Sequence, residues 1–504
     1  MKVREETELP KVVLWVEGER FFQQIHYAFD LLMKLSLLRC DYLIHRLHDD
    51  LPRDKYDLHI VYGHRFPQIK APKAIHIVSS KFFSDAFLER KSLPNLPIKR
   101  YKGIPILYCG ADCSEAPYVE HREAQIRTNM DIVASAFFLA TRYEEVLTSD
   151  LNVLGRVPFT ATLACNEGFW DRPVVNEYAA LLGAWMQSLI PEKSAGASIS
   201  LWEGRRAAVC LTHDVDYYRK AKPLLMAAKL LSEFFRHGNM RRGSMHLLDF
   251  VKTILRMKRD SYLTIDDLRE MEKGFRTTYY FLSARTTRWY RNYGLKKEVG
   301  EQIMGLNKEG AEIGLHATLY AFDNSRIMYR ERESLETAVR VKTHGVRNHE
   351  LRWDPRKSWQ IQDRAGFLYD STLTFAEKGG FRCGVCHPFQ PFDLMNNRRL
   401  EIWEVPLTMM DVTLRDPKYL SMSPEQSYEE LIRYLHVVEE FKGIFVLLWH
   451  NTSFDEVEWK GWRWIYEKFL RYLRERDYLV DHCRNLLGVY CNSIGLSAKR
   501  GDRN

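Results

Sequence analysis

The chain has 504 residues, 45% hydrophobic and 28% charged, with a formal net charge of +8. That length and balance suit a globular protein of about two or three domains, and no apolar run approaches the roughly 20 residues of a membrane span. The excess of 74 basic over 66 acidic residues is small and dispersed, so it does not point to nucleic acid, although it permits peripheral contact with a membrane surface or an anionic polymer.

The first eight residues, Met1 to Glu8, are charged and have no apolar stretch behind them, which argues against a secretory signal and for a cytoplasmic protein. Nine scattered cysteines fit reduced thiols better than a disulfide framework. Residues 1–198 read as an α/β domain. Strands are expected at Val12–Val16, His59–Tyr62 and Ala74–Val78, and packed helices at Asp131–Val146 and Val174–Leu189. Its histidines are scattered, and no catalytic constellation stands out. The small residues Ser194-Ala195-Gly196-Ala197-Ser198 mark a linker.

A second domain, residues 205–492, opens with the apolar run Arg206-Ala207-Ala208-Val209-Cys210, which leads into Leu211-Thr212-His213-Asp214-Val215-Asp216. Two acids and an imidazole thus arrive where a strand should end, the place where α/β sheets build sites. Alternate strand side chains share a face, so Asp214 and Asp216 can enter one pocket while His213 points away. Carboxylates that close repel unless a cation or a shared proton lies between them. A divalent metal is the expectation, and a solvated surface turn is the alternative at this point.

Residues 217–262 form a basic, mostly helical insertion that includes Lys220-Ala221-Lys222 and Arg241-Arg242. Its charges are expected to form a solvated face, with contact to a polyanionic glycan or a lipid phosphate as the alternative. From Leu263 onward strands and helices alternate. A helix opens at Thr264-Ile265-Asp266-Asp267 and a strand covers Thr277–Leu282. A helix spans Lys296–Lys308 and is stopped by Gly310. The strand Ala311–Leu315 ends at His316, and a helix through Glu331–Arg340 precedes Gly345-Val346-Arg347-Asn348-His349. Further strands are expected at Ile402–Leu407 and at Gly443–Leu448, followed by Trp449-His450. This alternation implies a parallel sheet or barrel with its chemistry at one rim.

Those strand ends, in that order, resemble the polysaccharide deacetylases, the NodB-like carbohydrate esterases of family four. The resemblance covers about residues 205 to 490. Thr212-His213-Asp214-Val215-Asp216 is similar to the first motif of that family, Thr-Phe-Asp-Asp-Gly. Thr277–Leu282 is similar to its Thr-Phe-Phe-Val strand, and Glu312-Ile313-Gly314-Leu315-His316 to the start of its His-Ser/Thr-x-x-His motif. Gly345-Val346-Arg347 is similar to its arginine motif, and Leu447-Leu448-Trp449-His450 to its Leu-x-Leu-His motif. Residues 1–198 resemble the accessory domain that precedes an uncharacterised bacterial branch. Three departures stand out: Val215 occupies the place of the second aspartate, Tyr320 that of the second histidine, and Asn348-His349 follow the arginine where the family has a proline.

The resemblance implies a C-terminal distorted (β/α) barrel and metal-dependent removal of acetyl groups from a carbohydrate. The metal would be held by Asp216, His316 and, as a substitute third ligand, His349. Zinc suits such donors, and nickel, cobalt or iron could fit the same set. Asp214 would be the general base, Arg347 would keep it ionised, and His450 would be the general acid. Tyr320 and Trp449 would touch substrate. Cys383-Gly384-Val385-Cys386-His387 matches the string for covalent haem attachment, but with no export signal and no second CxxC it reads as a loop beside the pocket, with His387 lining the cleft. Phe454, Trp459, Trp462 and Trp464 could offer faces to sugar rings, and core packing is the alternative for them. The alternative for the domain is a catalytically inactive barrel that binds glycan or a biosynthetic partner.

Overall fold

The computed structural model describes residues 9–18, 20–47, 53–64, 71–110, 116–191, 198–236, 240–283, 293–295 and 297–498. The charged start Met1–Glu8, the linker residues 194–197 and the expected helix start at Lys296 fall outside them. By internal contacts the chain divides into two units. The first comprises Met1–Gly204, Phe381–Trp403 and Val489–Ala498. The second comprises Arg205–Gly380, Glu404–Gly488 and Lys499–Asn504.

The first unit is built on a six-stranded sheet. The apolar runs expected as strands are Lys11–Val16, Leu58–Gly63 and Ala74–Val78, and they pair in parallel. Asp41–Arg46 adds a parallel edge beside the first of them. Beyond the last lie Gln125–Thr128, parallel, and Val119–Arg122, antiparallel. The long helix expected over 131–146 is instead two helices, Ile132–Ala140 and Tyr143–Leu147. The Asp131 carboxylate caps the first by accepting from the Ala134 N–H. Arg142, with φ 53°, interrupts the run, and its buried guanidinium donates to Glu145, which also accepts from Arg382. The segment expected as a cleft loop, Cys383–His387, belongs to this unit. Cys383, Cys386 and His387 are buried in it, and Asn176 lies against the His387 ring at 2.8 Å.

The second unit is organised around Ala208–Val215, all eight residues of which are buried. A strand covered on both faces needs such an uninterrupted run. On one side follow Thr278–Leu282, Glu312–Ala317, Gly345–Asn348, Tyr369–Asp370 and Trp403–Glu404. On the other lie Ile444–Leu448 and Met409–Met410, while Leu479–Val480 pairs with the start of the central strand. The pairings with a defined register are parallel. The sheet is open rather than a closed barrel, yet it curls strongly. Only residues 405–408 separate its two end strands, a reach of roughly 18 Å even when extended.

Two glycines permit tight packing beneath the rim. A Cβ on Gly314 would lie 2.5 Å from the Tyr280 ring, and one on Gly345 would lie 2.1 Å from the Tyr369 ring. Removing those Cβ atoms lets the two tyrosines cross the sheet interior, their hydroxyls 3.2 Å apart. The insertion consists of Pro223–Leu231, a π-helical turn at Ser232–Arg236, and Met240–Ile254. Buried Lys220 ties it to the rim through Asp455 and, at 3.2 Å, through Asp249.

Candidate active site

Strand register decides which side chains meet. Phe281 pairs with Val215 and Leu282 with His316, while His316 in turn pairs with Arg347. Asp216, one residue past the end of the central strand, is therefore level with His316 and Arg347. The two-residue period places Thr212, Asp214 and Asp216 on one face. His213 lies on the other, 2.8 Å from the Trp449 carbonyl and 2.7 Å from Glu272.

Asp216, His316 and His349 form a candidate metal triad. One ligand atom from each lies within 4.8 Å of the others. Asp216 Oδ1 is 3.2 Å from His316 Nε2 and 3.3 Å from His349 Nε2. His316 Nδ1 donates to the Arg347 carbonyl at 3.0 Å, so in the neutral ring the Nε2 lone pair faces the carboxylate. Asp216 Oδ1 is buried and has no hydrogen-bond donor in good geometry. With the rings neutral, acceptor would face acceptor here, an arrangement that either a ring proton or a bound cation relieves. Burial would push the Asp216 carboxyl upward, but the two imidazoles hold it well below the ordinary carboxylate range. For His349, burial acts downward and Asp216 outweighs it, so the ring is held above its usual value.

His349 reaches the triad through an unusual turn. Glu350 and Leu351, directly after it, have φ of 57° and 51°, a left-handed conformation that costs roughly 1–2 kcal/mol per residue. The turn is secured by the Asn348 amide, which donates to the Arg352 carbonyl at 2.9 Å, and by the Asn348 N–H, which donates to Thr372 Oγ1 at 3.0 Å. It brings the His349 ring edge-on to His316, centroids 4.9 Å apart.

Asp214 lies beside the triad, Oδ2 3.7 Å from His316 Nε2. Arg347 is fully buried and donates to Asp214 Oδ1 at 3.1 Å, to Thr212 Oγ1 at 2.7 Å and to the Ser371 carbonyl at 2.8 Å. Its guanidinium stacks over Tyr280, 4.4 Å from the centroid, so the glycine at 314 indirectly places the arginine. His450, at the end of the Ile444–Leu448 strand, has Nε2 3.8 Å from Asp216 Oδ2. Its Nδ1 donates to Asp411 Oδ1 at 2.7 Å, while its backbone N–H and the Ser453 hydroxyl donate to Asp411 Oδ2. Burial opposes the imidazolium, but Asp411, aided by Asp216 and Asp214, drives the His450 pKa up to about 10.

Six of the sequence-predicted residues thus converge: Asp214, Asp216, His316, Arg347, His349 and His450. Three do not join them. Trp449 is buried among Trp462 and Tyr466, and His387 is buried in the first unit. Neither ring offers a surface to a substrate. Tyr320 is 51% exposed on the turn after the His316 strand. Of the aromatic residues near the C-terminal end, Phe454, Trp459 and Trp462 are buried and only Trp464 is exposed. The residue missed by sequence reasoning is Asp411. Its signal was faint: an acid after Met409-Met410, a strand of two residues.

Residues 14–191 match a protein family of unknown function, DUF7033. No curated protein matches the chain. Solved structures similar to it include a candidate polysaccharide deacetylase from Mycobacterium smegmatis, at 19% identity and TM-score 0.39, covering 61% of this chain and 97% of that one. A CE4 family pseudoenzyme from Bacillus anthracis is similar at 13% identity and TM-score 0.28, with coverages of 56% and 65%. A carbohydrate deacetylase is similar over 96% of this chain and 88% of its own, at 7% identity and TM-score 0.30.

Proposed function

We propose that this protein is a metal-dependent hydrolase that removes acetyl groups from a carbohydrate. The observation that carries the reading is the convergence of Asp216, His316 and His349 with Asp214 and His450 at one rim, with two imidazole nitrogens 3.2 and 3.3 Å from one buried carboxylate oxygen. Two imidazole nitrogens and one carboxylate oxygen fit zinc, and also nickel, cobalt or iron. Bound there, such a cation would polarise an acyl oxygen and acidify a water.

The chain's own residues supply the proton transfers. Asp214 accepts the proton of the attacking water, and Arg347, donating to its Oδ1 at 3.1 Å, orients it. His450 donates the Nε2 proton to the departing nitrogen or oxygen. Asp411 accepts the hydrogen bond from the Nδ1–H and so fixes which nitrogen faces the cleft. Tyr320, exposed beside this rim, is the proposed substrate contact.

The test combines metal analysis with acetate release. Purified protein is soaked in zinc, freed of excess, and incubated with N- and O-acetylated oligosaccharides. The expected results are one metal per chain and acetate release that falls about 10²–10⁴-fold in Asp214→Asn with metal retained. Full activity in that variant would remove Asp214 as the base. No metal and no acetate would refute hydrolysis and favour the catalytically inactive, binding reading.

A further inference from the structure

The insertion helix Met240–Ile254 is turned inside out. Its buried positions are Gly243, His246 and Asp249. Asp249 pairs with Lys220 and Lys258, and His246 Nε2 lies 3.9 Å from Glu458. Most of the apolar residues point the other way: Met240, Leu247, Leu248, Val251 and Ile254, with Leu255 just past the helix end, are 42–66% exposed, and Met245, 44% exposed, lies beside them. At 100° per residue the first six fall on one stripe about 120° wide. Isolated exposed leucines are ordinary, but a continuous stripe marks an interaction surface.

The charge around the stripe selects the partner. Residues 240–259 contain six cations and a single acid, Asp249, which faces inward. Arg241 and Lys252 are exposed along one border of the stripe, and Arg256 is exposed just beyond its end. A second copy of the chain seated on this face would bring cations against cations, with no exposed acid in the segment to pair them. A polyanion would satisfy the cations and leave the apolar stripe in water. An anionic bilayer satisfies both, since apolar side chains enter the acyl boundary while lysine and arginine stay with the phosphates.

We infer that this helix docks the protein on an anionic phospholipid surface, lying in the plane of the interface. The inference does not depend on the hydrolytic reading of the rim. It is tested by co-sedimentation of the full chain with phosphatidylcholine vesicles, with and without about one-third phosphatidylserine. Binding to the anionic vesicles that weakens with salt is expected, and it should fall about tenfold or more in L248E/I254E. R241E/K252E should lose the salt-sensitive part. Both variants alter exposed residues, so their thermal unfolding should match the parent, and L248S/I254S provides a milder pair. Failure of the parent to bind anionic vesicles would overturn the inference, as would binding unchanged in L248E/I254E. A parent dimer that L248E/I254E converts to monomer would also overturn it, because the stripe would then be a self-interface.

Discussion

Asp411→Asn should flatten the pH dependence of stability in metal-free protein. His450 is held at about 10 against an ordinary value of 6.5, and Asp411 is its chief charge partner at 2.7 Å. A folded-state pKa above the unfolded one stabilises the protein fully below about pH 6.5, and that contribution is lost as pH rises through 10. Between pH 6.5 and 9.5 the loss amounts to on the order of 3 kcal/mol. A carboxylate in contact raises an imidazole by about one to three units, so removing its charge should lower the His450 pKa by about two units and at least halve that pH-dependent loss. The assay is urea denaturation at the two pH values with chelator present. Under the proposed function the same variant should move the alkaline limb of the activity profile downward, because the acid must be protonated to act. A stability difference between the two pH values as large in Asp411→Asn as in the parent would refute the assignment of the raised pKa to this pair.

Four further outcomes follow from the same geometry. Zinc should raise the melting temperature of the parent by several degrees and leave His316→Ala and His349→Ala unmoved, as read by differential scanning fluorimetry. Gly345→Ala should cost about 2–3 kcal/mol or prevent folding, because its Cβ would sit 2.1 Å from the Tyr369 ring; urea denaturation measures it. Asp370, buried beside Glu404, is pushed up to about 7, first by burial. Its ionisation therefore costs stability as pH rises from about 4 through 7, and Asp370→Asn should be the more stable protein at pH 8, by roughly 1 kcal/mol in the same assay. His387→Ala should leave metal content unchanged while costing about 1–3 kcal/mol, since it strips a buried partner from Asn176.

The central strand and the acids at its end were legible because a run buried on both faces must be apolar and because a two-residue period fixes which side chains share a face. Strand ends put His316, Arg347 and His450 in order, and the resemblance to the deacetylase motifs, not periodicity, supplied their roles. Neither reached Asp411, whose strand is too short to carry a period, or the helix Phe22–Leu35. The sequence reading placed Cys383–His387 beside the cleft because position along the chain says nothing about which unit a long excursion joins.

The amino-acid sequence by itself determined the alternation of strands and helices, the polar residues at the strand ends, and a basic, mostly helical insertion. Tertiary structure alone decided three things. It set the curl and register that bring Asp216 level with His316, and the left-handed turn at Glu350 and Leu351 that swings His349 in. It also aimed the apolar stripe of Met240–Ile254 outward, with Asp249 turned in toward Lys220. The reason is physical: periodicity records that a helix has two unlike faces, and only the packing around it determines which face meets water.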